Sequence, residues 1–309
     1  MAPEPRRTLS EALAARPLLF EPVPPSARTP EDKVTAYVQR VVAVLREHPR
    51  VDGFVAPELV SENHHGEPHY RSGDVGRFAA RVARGSGCEA ILNKVVAHVH
   101  STQELKAWCE SAISRGTRNL MFIGGTSRYI PYPGPSVARA NAAMRSLIRR
   151  HSGVIGNVLI PHREHEGYRM LTKTRSGASF FTTQILFDSE PITDLIDEYG
   201  RLCGAYGVAP AAVLLSVAPV ADEEDLEFVR WLGAEIPAKV EGRLISEDGS
   251  ASIESAIATW RSVVRTLSSR GVDIPLGLNV EVVSPRHFGV AVRLLSAMEA
   301  QIDYRGKAG

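Results

Sequence analysis

Cysteine is scarce in this chain of 309 residues: Cys88, Cys109 and Cys203 are the only three, at wide and irregular spacing. That excludes a disulfide framework and a zinc knuckle and points to a reducing compartment. Surplus charge of either sign is also missing, since 36 Lys and Arg stand against 35 Asp and Glu. At a net charge of +1, no strong field recruits nucleic acid or an anionic membrane. No apolar run reaches the roughly 18 residues of a membrane span. The opening Met1-Ala-Pro-Glu-Pro-Arg-Arg lacks the apolar core of a signal peptide, so a soluble cytoplasmic protein is expected. No Gly-x-Gly-x-x-Gly follows a strand, which removes a Rossmann cofactor site. No stretch reads as a linker.

What is present is material for a large core, 44% hydrophobic with 23% charged residues. Short apolar runs alternate with amphipathic segments along the chain. Strands are expected at 17–25, at 52–58, within 88–100, and at 119–125, 153–161, 180–187, 212–218 and 275–281. Helices are expected between them, at 29–48, 74–84, 101–115, 134–150, 191–206, 222–232 and 252–270, with Pro285 opening a last one. Eight strands, each followed by a helix or helical loop, predict an α/β fold of the (βα)8 TIM-barrel type at this length. One catalytic domain over 16–309 follows a short extension, 1–15, that carries no chemistry.

In such a barrel the carboxyl ends of the strands handle substrate. Glu21 falls where the first strand stops against Pro22, Pro24 and Pro25, and desolvation among apolar residues there suits it to donate a proton near neutral pH. Thr183 and Gln184 interrupt the apolar run 180–187 near its end, and the amide can bond a heterocycle. Asn279 and Glu281 lie toward the same face on the last strand. Glu62 is the best second carboxylate in the long polar loop after the second strand, with Glu58 close behind. The fourth strand ends in Gly124 and Gly125, which let backbone approach a ligand. His162, Arg163 and Lys173 bring positive charge that suits a phosphate or carboxylate, and a solvated helix explains Arg163 and Lys173 as well. The spacing His98-x-His100 admits a metal-dependent hydrolase. The capping box Ser101-Thr-Gln-Glu104 tells against it, since His100 then borders a helix start. His64, His65 and His69, like His162 with His165, lack the partners of a ligand set, so no metal is expected.

The segment Gly177-Ala-Ser-Phe-Phe-Thr-Thr-Gln-Ile-Leu-Phe-Asp188 resembles the Gly-Ala-x-x-x-x-Thr-Gln-x-x-x-Asp signature of the methylenetetrahydrofolate reductases. Phe20-Glu-Pro-Val-Pro-Pro25 resembles the Phe-Glu-Phe-Phe-Pro-Pro opening of the same family, and the two occur in the family's order. The resemblance implies reduction of 5,10-methylenetetrahydrofolate to 5-methyltetrahydrofolate, a reaction of one-carbon metabolism and methionine biosynthesis. It makes Glu21 the general acid, Glu62 its helper, and Gln184 the residue that contacts the pterin. Lys173 sits at the family's Lys position.

The chain departs from the family where flavin is held. Phe122-Ile-Gly-Gly125 stands in place of Leu-Arg-Gly-Asp, and the Pro-His-Leu-Thr strand is unrecognisable near Asn93. The reading is therefore a flavin-independent enzyme similar to the actinobacterial branch, an oxidoreductase taking hydride directly from NADH or NADPH, with Gly124, Gly125, His162 and Arg163 near that cofactor. An FAD-dependent relative, a silent folate binder and the metal hydrolase stay as alternatives. The partner is a small-molecule folate, with assembly into a homo-oligomer left open.

Overall fold

The computed structural model describes residues 6–127, 129–246 and 248–305. Its strands are β1 (Leu18–Glu21), β2 (Gly53–Ala56), β3 (Val60–Glu62), β4 (Pro68–Tyr70), β5 (Glu89–Val95), β6 (Asn119–Ile123), β7 (Ile155–Leu159), β8 (Phe180–Thr183), β9 (Ala212–Val217) and β10 (Leu276–Glu281). Eight of them close a parallel barrel in the order β1-β10-β9-β8-β7-β6-β5-β2, and β3 and β4 form a separate hairpin. The helices are α1 (Leu9–Ala12), α2 (Glu31–Glu47), α3 (Val75–Ser86), α4 (Thr102–Ser114), α5 (Val137–Arg150), α6 (Glu166–Ser176), α7 (Glu190–Ala205), α8 (Glu223–Trp231), α9 (Ala238–Glu241), α10 (Ser250–Ser269) and α11 (Phe288–Glu299). This is the (βα)8 barrel that the alternation of apolar runs predicts. Among the described residues, no helix is long and apolar enough to cross a membrane.

The chain clusters into two compact units. The first holds β2, β5 and β6 with most of β7, paired in the registers Gly53↔Glu89, Ile91↔Asn119 and Leu120↔Ile155. Part of the N-terminal extension docks here. Leu9 and Ala12 of α1 are fully buried, and Arg7 forms an ion pair with Asp52 at 2.5 Å. Residues 1–5 of the extension lie outside the described residues. Asn157 of β7 and Asn141 of α5 bond each other through both amides, at 2.7 and 3.2 Å, so neither buried polar group is left unmet.

The second unit holds β8, β9, β10 and β1, in the registers Phe180↔Ala212, Val213↔Leu276, Leu278↔Leu18 and Glu281↔Glu21. Phe20 of β1 and Phe288 of α11 meet edge to face at 6.1 Å, both fully buried. Each contributes roughly 2–3 kcal/mol by its burial. Their contact fixes the strand whose last residue is Glu21.

Several boundaries differ from the sequence reading. The polar segment after β2 folds into the β3–β4 hairpin, because Asn63 Oδ1 accepts from the backbone N–H of His65 and Glu67 and so builds the turn. The apolar run 180–187 is strand only to Thr183. Ile185 and Phe187 pack beyond it, against Ala218, Val220, Leu226 and Val229. The helix expected at 29–48 runs over Glu31–Glu47 with Pro30 at its N-cap, and Pro285 opens a single 3₁₀ turn ahead of α11. Gly177, at φ +121°, ends α6.

Gly277 in β10 is set by close approach. A Cβ built there would lie 2.4 Å from the carbonyl oxygen of Pro17, at the start of β1. Gly277→Ala therefore pushes β10 away from β1, and urea denaturation should show a loss of about 1–3 kcal/mol. Gly204→Ala, where a Cβ meets nothing within 4 Å, should cost no stability.

Candidate active site

β10 alternates Leu276, Leu278 and Val280 with Gly277, Asn279 and Glu281, so the last three share one face. Parallel pairing puts Asn279 beside Leu19 and Ser216, and Glu281 beside Glu21. The Asn279 amide nitrogen donates to Glu21 Oε2 at 2.8 Å, to Glu281 Oε1 at 3.2 Å and to Ser216 Oγ at 3.2 Å. Two carboxyl groups at adjacent strand ends thus share one donor. No cation pairs with either among the described ion pairs.

Burial pushes the Glu21 carboxyl up to about 7, against the pull of the Asn279 hydrogen bond. Glu281 is raised well above the ordinary carboxyl range, by burial first and the negative charge of Glu21 second. Hydrogen bonds from Ser216 and Asn279 only partly offset this. The two groups titrate as a pair, and near neutral pH the pair keeps a proton. Asn279 Oδ1 is buried without a hydrogen-bond partner, so the network has an acceptor to spare.

The other predicted residues of this unit are engaged elsewhere. The Thr183 hydroxyl accepts from the Ser216 backbone N–H at 2.8 Å, which ties β8 to β9 beneath the pair. Gln184, just past β8, donates its amide to the carbonyl of Leu232. It lines a cleft of about 30 Å³ together with His162 and Gly233. His162 Nδ1 lies 3.2 Å from Glu235. Lys173 bonds the fully buried Glu166 at 3.2 Å, and Arg163 flanks the same carboxylate at 4.0 Å. Burial lowers the pKa of Lys173, opposed by the charge of Glu166.

Glu62 stands in a different network in the first unit. It accepts from Thr126 Oγ1 at 2.5 Å, from the Tyr132 hydroxyl at 2.5 Å and from His98 Nε2 at 2.9 Å. Burial alone would raise its pKa, but these bonds outweigh it and hold the carboxyl below its usual range. His98 is buried in this contact while His100 is exposed, so the two imidazoles are not paired around a common centre. A Cβ at Gly124 would make ordinary contact with Val137 at 3.6 Å, but one at Gly125 would lie 2.2 Å from the Tyr132 ring. The close approach that Gly125 allows is thus made by the Tyr132 ring. Glu58 pairs with Lys94 at 2.7 Å.

Cys88, Cys109 and Cys203 are buried and free, and burial pushes the Cys88 and Cys109 thiols up to about 12. They are poor nucleophiles. One group among the described residues has metal-ligand proximity: Asp222, Asp225 and His287 lie within 4.8 Å of one another. Its bonds are structural, since Asp222 caps α8 and Asp225 accepts from the backbone of Ala221 and from His287. Sequence reasoning missed Ser216, Tyr132 and Thr126. Ser216 could have been found as the one polar residue in an otherwise apolar strand, at the register of Asn279. Tyr132 and Thr126 left no such signal.

No protein-family model matches this sequence, and no curated protein matches it. Among solved structures, the chain is similar to an uncharacterized protein from Clostridium thermocellum that binds two copies of 5-methyl-5,6,7,8-tetrahydrofolic acid. The identity is 17% and the TM-score 0.72, over 94% of this chain and 97% of the other. It is also similar to a GH113 β-1,4-mannanase at 12% identity and a TM-score of 0.52, over 92% and 98%. At these identities the likeness is one of fold.

Proposed function

We propose that this chain binds a reduced folate and reduces the one-carbon bridge of 5,10-methylenetetrahydrofolate to a methyl group, with Glu21 as general acid. The observation that carries the reading is the Glu21–Asn279–Glu281 arrangement, a carboxyl pair that keeps a proton near neutral pH at the carboxyl ends of barrel strands. The chemistry needs such a proton. Delivered to a bridging amine nitrogen, it opens the five-membered ring to an iminium cation, whose carbon then accepts hydride. NADH or NADPH as co-substrate supplies the hydride.

Each residue of the cluster has a part in that step. Burial disfavours ionisation of Glu21 and so keeps the acid loaded up to about pH 7, while the charge that Glu21 takes on when it ionises helps Glu281 to keep its own proton. Once Glu21 has given its proton, the Asn279 N–H at 2.8 Å stabilises the carboxylate left behind. The anionic pair then faces the cationic iminium, a favourable pairing in a desolvated site. The resemblance of residues 177–188 and 20–25 to the reductase signatures supports the reading, as does a barrel neighbour that binds a methylated tetrahydrofolate.

Gln184 is the proposed pterin contact, and it reaches that role only after a local change. A cleft of about 30 Å³ has room for little more than one water. The segment Leu232–Glu235 withdraws on binding in this account, turning at Gly233 (φ +88°) and freeing the Gln184 amide from the Leu232 carbonyl.

A second reading has one observation behind it: paired carboxyl groups on a barrel are also the equipment of a glycosidase, and a mannanase shares the fold. Glycosidase carboxyls flank the scissile bond, however, whereas these two converge on a single amide nitrogen.

Glu21→Gln should fold normally and lose at least about 100-fold in NAD(P)H oxidation dependent on methylenetetrahydrofolate. In the native protein kcat/KM should fall as pH rises through about 7, where the acid loses its proton. Undiminished turnover in the variant, or hydrolysis of aryl mannosides by the native protein, would contradict the reading. Stability should follow the same proton. Because the folded-state pKa of Glu21 is raised, the unfolded chain releases its proton first as pH rises. Thermal stability should therefore fall between about pH 4.5 and 7 by at least about 1 kcal/mol, and the Glu21→Gln, Glu281→Gln double variant should flatten that slope and be the more stable form at pH 8.

A further inference from the structure

The first unit contains a cavity of about 350 Å³ that takes no part in the chemistry above. Its wall includes Glu58 beyond β2, Tyr70 of β4, Asp74 at the cap of α3, Asn93 of β5, and Trp108 and Arg115 from α4 and its end. The size is that of a small-ligand pocket.

The charges of the wall are matched in pairs. Lys94 Nζ lies 2.7 Å from Glu58, and it also faces the Tyr70 and Trp108 rings at 5.6 and 5.7 Å. Arg115 grips both oxygens of Asp74 at 3.1 and 3.0 Å. An ionic ligand would have to break a pair to gain one, which selects for an uncharged ligand. Two aromatic side chains at one end favour a flat ring.

Among the buried side-chain atoms of this wall, the one left without a hydrogen-bond partner is an acceptor. The Lys94 and Arg115 donors are directed at carboxylates, and Asn93 Oδ1 is buried without any hydrogen-bond partner. A buried acceptor left unmet is costly, and a ligand N–H offered to this wall removes the cost. We infer that this cavity is a second binding site, for an uncharged, flat, N–H-bearing heterocycle of about nucleoside size. The inference does not depend on the folate reading.

The test is isothermal titration of the purified full-length chain with adenosine and with guanosine. At least one of the two should bind saturably at one molecule per chain. Ser111 lies exposed on α4 at the cavity wall, so Ser111→Trp fills the space from outside and should weaken binding at least about tenfold without disturbing the core. Tyr70→Ala, at a half-exposed ring, should do the same and carries the test should Ser111→Trp not fold. Glu281→Gln, in the other unit, should leave the nucleoside affinity unchanged. No saturable heat with either nucleoside, or binding that survives both cavity variants, would overturn the inference. So would xylose or glycine binding in the cavity in place of the nucleosides.

Discussion

One amide nitrogen, that of Asn279, holds two carboxyl groups together at the end of two parallel strands. Everything proposed for the chemistry depends on that contact. Without a shared donor, Glu21 and Glu281 would repel and turn apart. With it they stay close, lose water, and compete for one proton. The barrel supplies the geometry: register pairing puts the two residues side by side, while Gly277 lets β10 lie against the start of β1. Ser216 and Thr183 continue the network into β9 and β8, so four successive strands are tied at one level by polar groups.

The two units use carboxylates in opposite ways. Glu62 is surrounded by a histidine, a tyrosine and a threonine, all in a position to donate, so it stays ionised. Glu21 has only the Asn279 amide, and Glu281 has that amide and the Ser216 hydroxyl but also the charge of Glu21 to contend with, so both resist ionisation. Burial alone does not decide the state of a buried acid; the number of donors aimed at it does. In chemical terms Glu62 suits a fixed negative charge that organises its loop, whereas the pair suits proton delivery.

The barrel was legible in the sequence because each strand is a short apolar run set off by glycine or proline, and each helix has a clear apolar face. Glu21, Asn279 and Glu281 were legible as strand-end polar residues, one by one. Their convergence was not, because register between strands some 260 residues apart leaves no local trace, and only the paired backbones bring Glu21 beside Glu281. Gln184 shows the reverse problem. Its position after β8 was evident, yet nothing in the sequence foretold that the Leu232 carbonyl would take its amide. Gly125 reads as room for a ligand, but the ring that fills it lies in a loop without periodicity. The β3–β4 hairpin was hidden for a similar reason, since a single asparagine side chain builds its turn.

The central claim is that the pair keeps a proton near neutral pH. Infrared difference spectroscopy of carboxyl groups, with glutamate labelled by carbon-13, reads this directly in the resting protein. The account predicts a protonated glutamate band at about pH 6.5 that vanishes in Glu21→Gln, Glu281→Gln and disappears from the native protein only in alkali. A native protein whose glutamates are all ionised at that pH would contradict it.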